Sequence, residues 1–375
     1  MIRKPEIPGS MIRRQAGVRT VLRIACLSVL VIILWAGLWP FHAPANEIAW
    51  ISGANGLRFG RHAIALSSRP LSISDEPCSL EIWLRPRFVD ESTTFFATYR
   101  HDNPRQFGLR QYHSALVLER GEANSPGSSS GATMGVGDVF RKGKAAFLTI
   151  TSDTRGTSIY VDGAWKESSP FRFSGSDLIG QLLFGDSAEG PSSWSGDLLG
   201  FAIYSRALTP AETAHHFQTW TKEGRPDISN SSPATALYLF QERNGAVIHD
   251  EGQERDDLVI PQHFAVAHKL RLQSAWSEFK PSPEYWRAVA VNVCGFIPFG
   301  FVFYAYFATV RQAKASVLRT IVAGALVSFT IEFLQGYLPT RDSGTTDIIT
   351  NTLGTWIGVM VYPAKTADAI LGEIL

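Results

Sequence analysis

The sequence predicts a multidomain membrane protein in which an all-β sandwich is inserted into a unit of four transmembrane α-helices. Strongly apolar runs lie near both ends of the 375-residue chain. The region between them consists of short alternating or β-rich runs, which are broken by glycine, proline, serine and asparagine. Long uncharged runs are typical of membrane-spanning helices, and regularly spaced short strands are typical of antiparallel sandwiches.

The two patterns divide the chain into five segments. Residues 1–45 are predicted to form a basic cytoplasmic tail and the first transmembrane helix, and residues 46–220 the sandwich. A linker with an extra β segment and an amphipathic stretch follows over residues 221–280. Residues 285–363 are predicted to form three more transmembrane helices, and residues 364–375 a second cytoplasmic tail.

The composition excludes some classes of function. A net charge of +1 provides no domain-wide excess of basic residues, so nucleic acid is not an expected partner. Of the three cysteines, Cys26 and Cys294 lie in apolar runs, which leaves Cys78 without an evident partner. This arrangement indicates neither a disulfide framework nor the ligand spacing of a metal site.

The first apolar run covers residues 24–38 and is followed by a Trp-Pro-Phe sequence. Four basic residues precede it: Arg13, Arg14, Arg19 and Arg23. Such a run can be a cleaved signal peptide, for which residues 43–45 (APA) offer a cleavage site. With its flanks the run reaches about 17–19 residues, which is long enough for a retained anchor. We favour the anchor, and both alternatives stay open at this point.

Three further spans are predicted near the C-terminus, over residues 288–310, 317–338 and 347–362. The basic residues beside them are Arg311, Lys314, Arg319 and Lys365. Because short loops rich in lysine and arginine stay in the cytoplasm, the pattern predicts a multi-pass protein of the cytoplasmic (inner) membrane, N-in and C-in. The sandwich and the loop over residues 339–346 would then be extracytoplasmic.

The sandwich region contains local signals for individual features. Residues 151–161 predict a β-hairpin whose turn lies at residues 153–156. The low-complexity residues 122–135 predict an exposed loop, because they carry too few apolar side chains to pack.

Three segments occur in a characteristic order: SLEIWLRP (79–86), FLTITSDTRGTSIYVDG (147–163) and WSGDLLGFAIYSRALTPAE (194–212). Together they resemble the laminin-G/concanavalin A-like jelly roll, a two-sheet sandwich common in extracellular modules that bind glycans or proteins. In the last segment Thr209 suits a helix N-cap and Pro210 the first helical position. The resemblance implies an envelope glycan or an envelope protein as a partner.

Some proteins of this kind bind calcium or sugar. The weak calcium candidates in this chain are Asp162, Asp186 and Asp197. Each of them also suits a turn or a strand end, which needs no metal. No other cofactor is expected. Catalysis of the glycosidase kind would require paired carboxylates, whereas Glu81 stands alone in its predicted strand.

The segment after the sandwich has two recognisable parts. Residues 236–261 resemble the opening strand and turn of the same kind of jelly roll, and we expect them to be an outer addition to it. Residues 264–279 space their apolar side chains at near-helical intervals. They predict either an amphipathic helix on the membrane surface or a connector that packs on the sandwich.

Polar residues are concentrated near one end of the three C-terminal spans. The candidate binding residues are Asn292, Glu332, Gln335, Arg341, Asp347 and Asn351. A carboxylate in the hydrocarbon region costs at least about 2.5–3.5 kcal/mol, so these groups should face the bundle interior or an open cavity. Singly, Asn292 and Gln335 would serve as interhelical hydrogen-bonding residues. As a set, the residues predict a site in the outer half of the bilayer, where Arg341 pairs with Glu332 or with an anionic headgroup.

The spacing of the last span places its polar and small residues on one stripe. Asp347, Asn351, Gly354 and Gly358 follow one another at intervals of about one helical turn. The stripe is therefore polar at one end and small further along, which favours close packing against another helix.

The same stretches resemble the VanZ-like membrane proteins, which are named for a glycopeptide (teicoplanin) resistance factor. The matching pieces are WPFH (39–42), NVCGFIPFGF (292–301) and SFTIEFLQGYLPTRDSGTTDIITNTLGTWIG (328–358). The resemblance implies a role in the cell envelope. Ordinary members join the first two spans by a short loop, whereas this chain carries the whole sandwich there, so resistance itself is not inferred.

Two functions of different class are consistent with the sequence. The favoured one is a non-enzymatic envelope protein that binds a lipid or lipid-linked glycan at the polar site, while the sandwich binds a glycan or a protein. The alternative is a membrane enzyme that acts on a lipid headgroup, with Glu332 and Asp347 as acid and base. The sequence has no evident nucleophile arrangement, metal-ligand set or phosphate loop, which favours the first function.

Overall fold

The computed structural model describes residues 9–121, 132–190, 192–227, 233–279, 281–310 and 313–362. The chain divides into two compact units. One, the sandwich unit, is Ala43–Lys269, and the other, the helical unit, combines Met1–His42 with Leu270–Leu375. Most of the predicted low-complexity loop (residues 122–131) and the predicted tail over residues 364–375 lie outside the described residues.

The sandwich unit consists of two antiparallel sheets of eight strands each. The first sheet has the order β1 (Ile48–Trp50), β2 (Leu57–Phe59), β13 (Gly196–Tyr204), β4 (Cys78–Pro86), β9 (Ala146–Asp153), β10 (Gly156–Val161) and β11 (Ala164–Ser169), with β14 (Ala236–Tyr238) also paired to β13. The second has the order β15 (Val247–Ile248), β16 (Leu258–Val259), β3 (Ala65–Ser67), β12 (Gln181–Phe184), β5 (Ser92–Arg100), β6 (Asn103–Tyr112), β7 (Ala115–Arg120) and β8 (Ala132–Val136). This is the predicted two-sheet, jelly-roll-like sandwich.

Along each strand of the first sheet, successive side chains point alternately into the core between the two sheets and to the outer face of the first sheet. Ile150 and Ile159 lie opposite each other in register and are both fully buried in the main hydrophobic cluster. Their neighbours along the strands therefore point to the outer face. The predicted hairpin is confirmed, because β9 and β10 pair with Asp153 opposite Gly156.

A helix covers part of this outer face. Helix α3 (Pro210–Glu223) begins at a capping box in which Thr209 and Glu212 bond each other's backbone N–H groups. It ends at Gly224, whose φ of 72° suits glycine. Trp220 of this helix is fully buried against the sheet. One further short helix in this unit is α2 (Gly175–Leu178).

Residues after 220 also belong to the sandwich unit. Strand β14 extends the first sheet, and β15 and β16 extend the second, so residues 236–259 contribute to both sheets. The near-helical spacing over residues 264–279 produces only one short helix, α4 (Ala275–Glu278). Leu272 adopts a left-handed backbone with φ of 48°, which interrupts any continuous helix across this stretch.

Hydrogen bonds join the entry and exit of the sandwich unit. The backbone N–H of Asn46 donates to the carbonyl of Gln262 at 3.1 Å, and that of Phe264 donates to the carbonyl of Pro44 at 2.9 Å. The unit therefore begins and ends at one place.

The helical unit contains α1 (Gly9–Leu38), α5 (Pro283–Val310), α6 (Ala313–Gln335) and α7 (Thr345–Val361). Helix α5 packs against the other three. Phe296, Phe299 and Ile331 form a buried cluster against the apolar side of α1. Packing is closest between α5 and α7, where a Cβ atom on Gly354 would stand 2.2 Å from the carbonyl oxygen of Val293. The predicted small-residue stripe is therefore a packing seam.

Three helices in the described part of the chain are long and apolar enough to cross a membrane: Gly17–Leu38, Pro283–Thr309 and Ala315–Gln335. Helix α7, the fourth predicted span, has 17 residues. At 1.5 Å per residue it is about 26 Å long, slightly shorter than a hydrocarbon core of about 30 Å. A membrane protein is thus supported by three helices, and crossing by α7 stays a prediction.

Candidate functional site

The candidate site lies where α6 ends and α7 begins. The Ser343 hydroxyl donates to the backbone carbonyl of Glu332 at 2.7 Å. The Gly344 N–H donates to the Glu332 carboxylate at 2.8 Å. Glu332 is only 1% exposed, and its side chain thereby satisfies a backbone donor at the start of the next helix. The sequence placed Glu332 on a helix, but this bond to the following loop could not be deduced from spacing.

The carboxyl groups of Glu332 and Asp347 lie close enough to interact, and the side chain of Asn292 also lies beside the Asp347 carboxyl. The three residues come from α6, α7 and α5, so the helix packing brings them together. The arrangement therefore brings two carboxyl groups and one amide side chain together.

Asn351 lies one helical turn beyond Asp347 and is 5% exposed. Its side-chain N–H donates to the hydroxyl of Ser328 at 3.0 Å. Its side-chain oxygen has no hydrogen-bond partner among the described residues. The buried hydroxyl of Thr346 is in the same situation. A buried acceptor without a hydrogen-bond partner costs about 1–3 kcal/mol of folding free energy, unless a ligand or a water molecule donates a hydrogen bond to it.

Glu278 reaches this site from the short helix α4. Its carboxylate accepts the Thr346 N–H at 3.0 Å, at the first turn of α7. A Cβ atom at residue 344 would lie 1.5 Å from the same carboxylate, so a side chain there would displace the Glu278 carboxylate. Sequence reasoning missed Glu278, because it belongs to a helix of only four residues, 54 positions before Glu332. We call Glu278, Asn292, Glu332, Asp347 and Asn351 the polar cluster.

Gln335 and Arg341, the remaining candidate residues, are directed to α1. The Gln335 amide donates to the carbonyl of Gly37 at 2.7 Å. The Arg341 guanidinium donates to the carbonyl of Trp39 at 3.0 Å. These contacts hold the end of α1 beside the end of α6. Pairing of Arg341 with Glu332 or a headgroup stays a prediction.

Exposed aromatic side chains surround the helix ends at which the polar cluster lies. They include Trp35, Trp39, Phe41, Trp276, Phe279, Trp286 and Tyr337, which are 51–91% exposed. The guanidinium of Arg271 stacks over the Tyr337 ring at 4.4 Å. Tryptophan and tyrosine are enriched where a membrane meets water. This distribution is typical of helix ends that lie at a membrane–water interface.

The three calcium candidates of the sandwich make protein contacts. Asp186 accepts the N–H groups of Ser187 and Ser192 at 2.6 and 2.7 Å, and burial raises the pKa of its carboxyl. Asp197 pairs with Arg58 at 2.8 Å.

Asp162, the third candidate, accepts the Phe147 N–H at 2.9 Å and sits in a turn with φ of 52°. Within the described residues no group of three His, Cys, Asp or Glu side chains is arranged to hold a metal ion. Calcium binding at any of the three positions therefore stays a prediction.

Comparisons with solved structures found chains that are similar to part of this one. A proposed carbohydrate-binding protein from Bacteroides ovatus is 16% identical, with a TM-score of 0.41 over 56% of this chain and 60% of that one, less than two thirds of its length. A heptameric SAP-like pentraxin from Limulus polyphemus is 12% identical, with a TM-score of 0.37 over 60% and 96% of the two chains. The CBM40 of Ruminococcus gnavus IT-sialidase, bound to alpha2,3 sialyllactose, is 12% identical, with a TM-score of 0.34 over 43% and 95%. These likenesses are too distant to indicate a ligand.

Family comparisons are more informative. The model of the concanavalin A-like lectin/glucanases superfamily matches residues 59–214, and the VanZ/LLP1 model matches residues 234–366. A comparison with curated proteins gave no match. Both predicted resemblances are thereby confirmed. The chain therefore carries a VanZ/LLP1 domain and a concanavalin A-like sandwich domain, together with three helices that are long and apolar enough to cross a membrane.

Proposed function

We propose that the helical unit binds a lipid or a lipid-linked glycan whose polar group donates hydrogen bonds to the polar cluster from the outer leaflet. One observation carries this proposal: the buried side-chain oxygen of Asn351 has no partner among the described residues. An acceptor left unpaired beside two carboxyl groups favours a ligand rich in donors.

The balance of donors and acceptors defines the ligand more closely. The cluster contains the carboxyl groups of Glu278, Glu332 and Asp347, whereas the backbone donors at residues 344 and 346 are already used. A primary ammonium or the hydroxyl groups of a sugar would supply the missing donors. The aromatic belt supports a ligand held at headgroup depth, because a lipid presents its polar group there.

The orientation follows from the basic residues of the sequence. We propose that the polar cluster and the sandwich are extracytoplasmic, with α1 retained as an anchor that packs on α5 and α6. A reporter fused after Arg319 is expected to lie in the cytoplasm, and one fused after Thr340 outside. An extracytoplasmic reporter after Arg319 would overturn the orientation.

For the sandwich unit we propose binding of an envelope glycan or protein, which the family match supports. The two units would then act on the same side of the membrane. The helical unit would hold a lipid-borne group, and the sandwich would bind a polymer or protein of the envelope.

The lipid site can be tested with full-length protein in nanodiscs of phosphatidylcholine, whose headgroup has no N–H or O–H donor. Phosphatidylethanolamine and phosphatidylglycerol serve as donor-bearing probes, and native mass spectrometry counts the bound lipids. Wild-type protein is expected to retain a probe, and Glu332→Gln and Asp347→Asn to weaken its binding at least about tenfold. The glutamine still offers an oxygen to the Gly344 N–H, so the fold should be kept.

Asp342→Asn is the matched control. It also removes one negative charge, but from an exposed residue in the loop between α6 and α7. It is expected to bind the probes like wild type. Loss of protein abundance in both cluster variants would show that the polar residues are structural. Unchanged binding in both variants, or no probe retained by wild type, would contradict the lipid site.

A membrane enzyme is the second candidate function, and one contact favours it. The carboxyl groups of Glu332 and Asp347 lie close together, and two neighbouring carboxyl groups can divide the roles of acid and base between them. The same mass spectra discriminate the two functions. An enzyme would convert a bound probe to a new mass over time, and Asp347→Asn would stop this conversion.

A further inference from the structure

An open cleft lies on the outer face of the first sheet, beside its edge strand β11. Its volume is about 690 Å³, within the range of about 300–1,000 Å³ that is typical of small-molecule sites. Strands β9, β10 and β11 form its floor, and residues 207–210 before and at the start of α3 form the opposite wall. Among the described residues, β11 ends the strand order of the first sheet.

A row of hydroxyl groups crosses the floor of this cleft. Thr151, Ser158 and Ser168 lie opposite one another across the three strands, so their side chains share a face. The hydroxyl oxygens of Ser158 and Ser168 are 2.8 Å apart. The hydroxyl of Thr151, a residue only 7% exposed, has no hydrogen-bond partner among the described residues. This unpartnered hydroxyl belongs to a residue that lines the cleft.

An aromatic platform stands beside the row. Trp165 of β11 is 63% exposed, although large apolar side chains usually gain from burial. Its indole N–H donates to the Ser168 hydroxyl at 3.0 Å, which fixes the orientation of the ring. Tyr160 lies opposite Trp165 in register and also lines the cleft.

The charges and polar groups of the lining indicate an uncharged ligand. Its two charged side chains, Asp153 and Arg155, pair with each other at 2.7 Å. The remaining lining offers ring faces and neutral hydroxyl groups. A pyranose has an apolar C–H face that packs on an aromatic ring, and a rim of hydroxyl groups that bond serine and threonine. A peptide would need no such row of hydroxyl groups.

We propose that this cleft binds a neutral oligosaccharide, with Trp165 stacked on a sugar ring and the Thr151 hydroxyl bonded to one of its oxygens. This inference rests on the glycan-binding role proposed for the sandwich and names the site and ligand class. It is independent of the lipid site in the helical unit.

Calorimetry of the full-length protein in detergent tests the cleft, with maltohexaose, cellohexaose and chitohexaose as probes at up to about 1 mM. At least one probe is expected to bind. Trp165→Ala and Thr151→Val are expected to weaken it at least about tenfold. Thr149→Val is the matched control, because Thr149 lies on the same face of β9 with an equally buried, unpartnered hydroxyl but does not line the cleft. Trp276→Ala removes an indole that is 91% exposed outside the sandwich unit.

The possible results are distinct. Weaker binding in both cleft variants, with both controls unchanged, supports the site. A probe that binds all variants equally overturns the cleft but leaves glycan binding by another surface of the sandwich. Failure of wild type to bind any of the three probes overturns both the cleft and the proposed binding of neutral glycans by the sandwich.

Discussion

Replacing Gly300 with valine is expected to prevent the close packing of α5 against α7. A Cβ atom at Gly300 would stand 2.0 Å from the carbonyl oxygen of Thr355, which belongs to the backbone and cannot rotate away. Separation of the two helices would also move Asn292 on α5 away from Asp347 on α7, and so disrupt the polar cluster. We expect a destabilisation of at least about 3 kcal/mol, measured as loss of monodisperse full-length protein in detergent and faster cleavage by trypsin.

Gly295→Val provides the control on the same helix. No heavy atom lies within 4 Å of a Cβ atom built at Gly295, so the larger side chain has room. This variant should resemble wild type in yield and protease resistance. Equal behaviour of the two variants would contradict the close seam between α5 and α7.

Glu81→Ala is expected to loosen helix α3 from the outer face of the first sheet. The carboxylate is fully buried and accepts hydrogen bonds from Tyr204 at 2.9 Å and Trp220 at 3.0 Å, while His216 contacts it at 2.9 Å. Truncation would leave three buried polar groups without their partner, which costs about 3–5 kcal/mol. Hydrogen exchange of the full-length protein should therefore accelerate in peptides from β4 and α3.

Glu167→Ala tests whether this effect is specific. Glu167 lies on β11 of the same sheet, but its side chain is exposed. Its removal should leave exchange in β4 and α3 unchanged. Slow exchange retained in Glu81→Ala would mean that the buried carboxylate does not hold α3 on the sheet.

Local patterns predicted the elements with strong periodicity. The turn over residues 153–156 contains Asp153 and Gly156, residue types that fix a hairpin from sequence alone. The stripe from Asp347 to Gly358 is likewise determined by helical spacing, and Gly354 and Gly358 lie in the packing seam. In both cases the signal lies within one element, so no knowledge of distant contacts was needed.

Features that depend on tertiary contacts were not predictable in the same way. Strands of two or three residues, such as β15 and β14, are too short to show a period of two, so their place in the sheets was not evident. Glu278 joins the polar cluster only because the short helix α4 packs on α7. The cleft combines Thr151 and Trp165 from different strands, and the exposure of an indole cannot be read from its neighbours in sequence.

The hydrogen bonds that tie Asn46 to Gln262 and Pro44 to Phe264 make the sandwich unit a module. A domain whose two ends meet can be inserted into a host protein without stretching or separating the flanking elements. The two residues of the host chain that flank the insertion need to be no farther apart than the two ends of an ordinary turn. A single insertion or excision between α1 and α5 could therefore convert a helical protein with a short loop into this one, or the reverse, without any redesign of the membrane part.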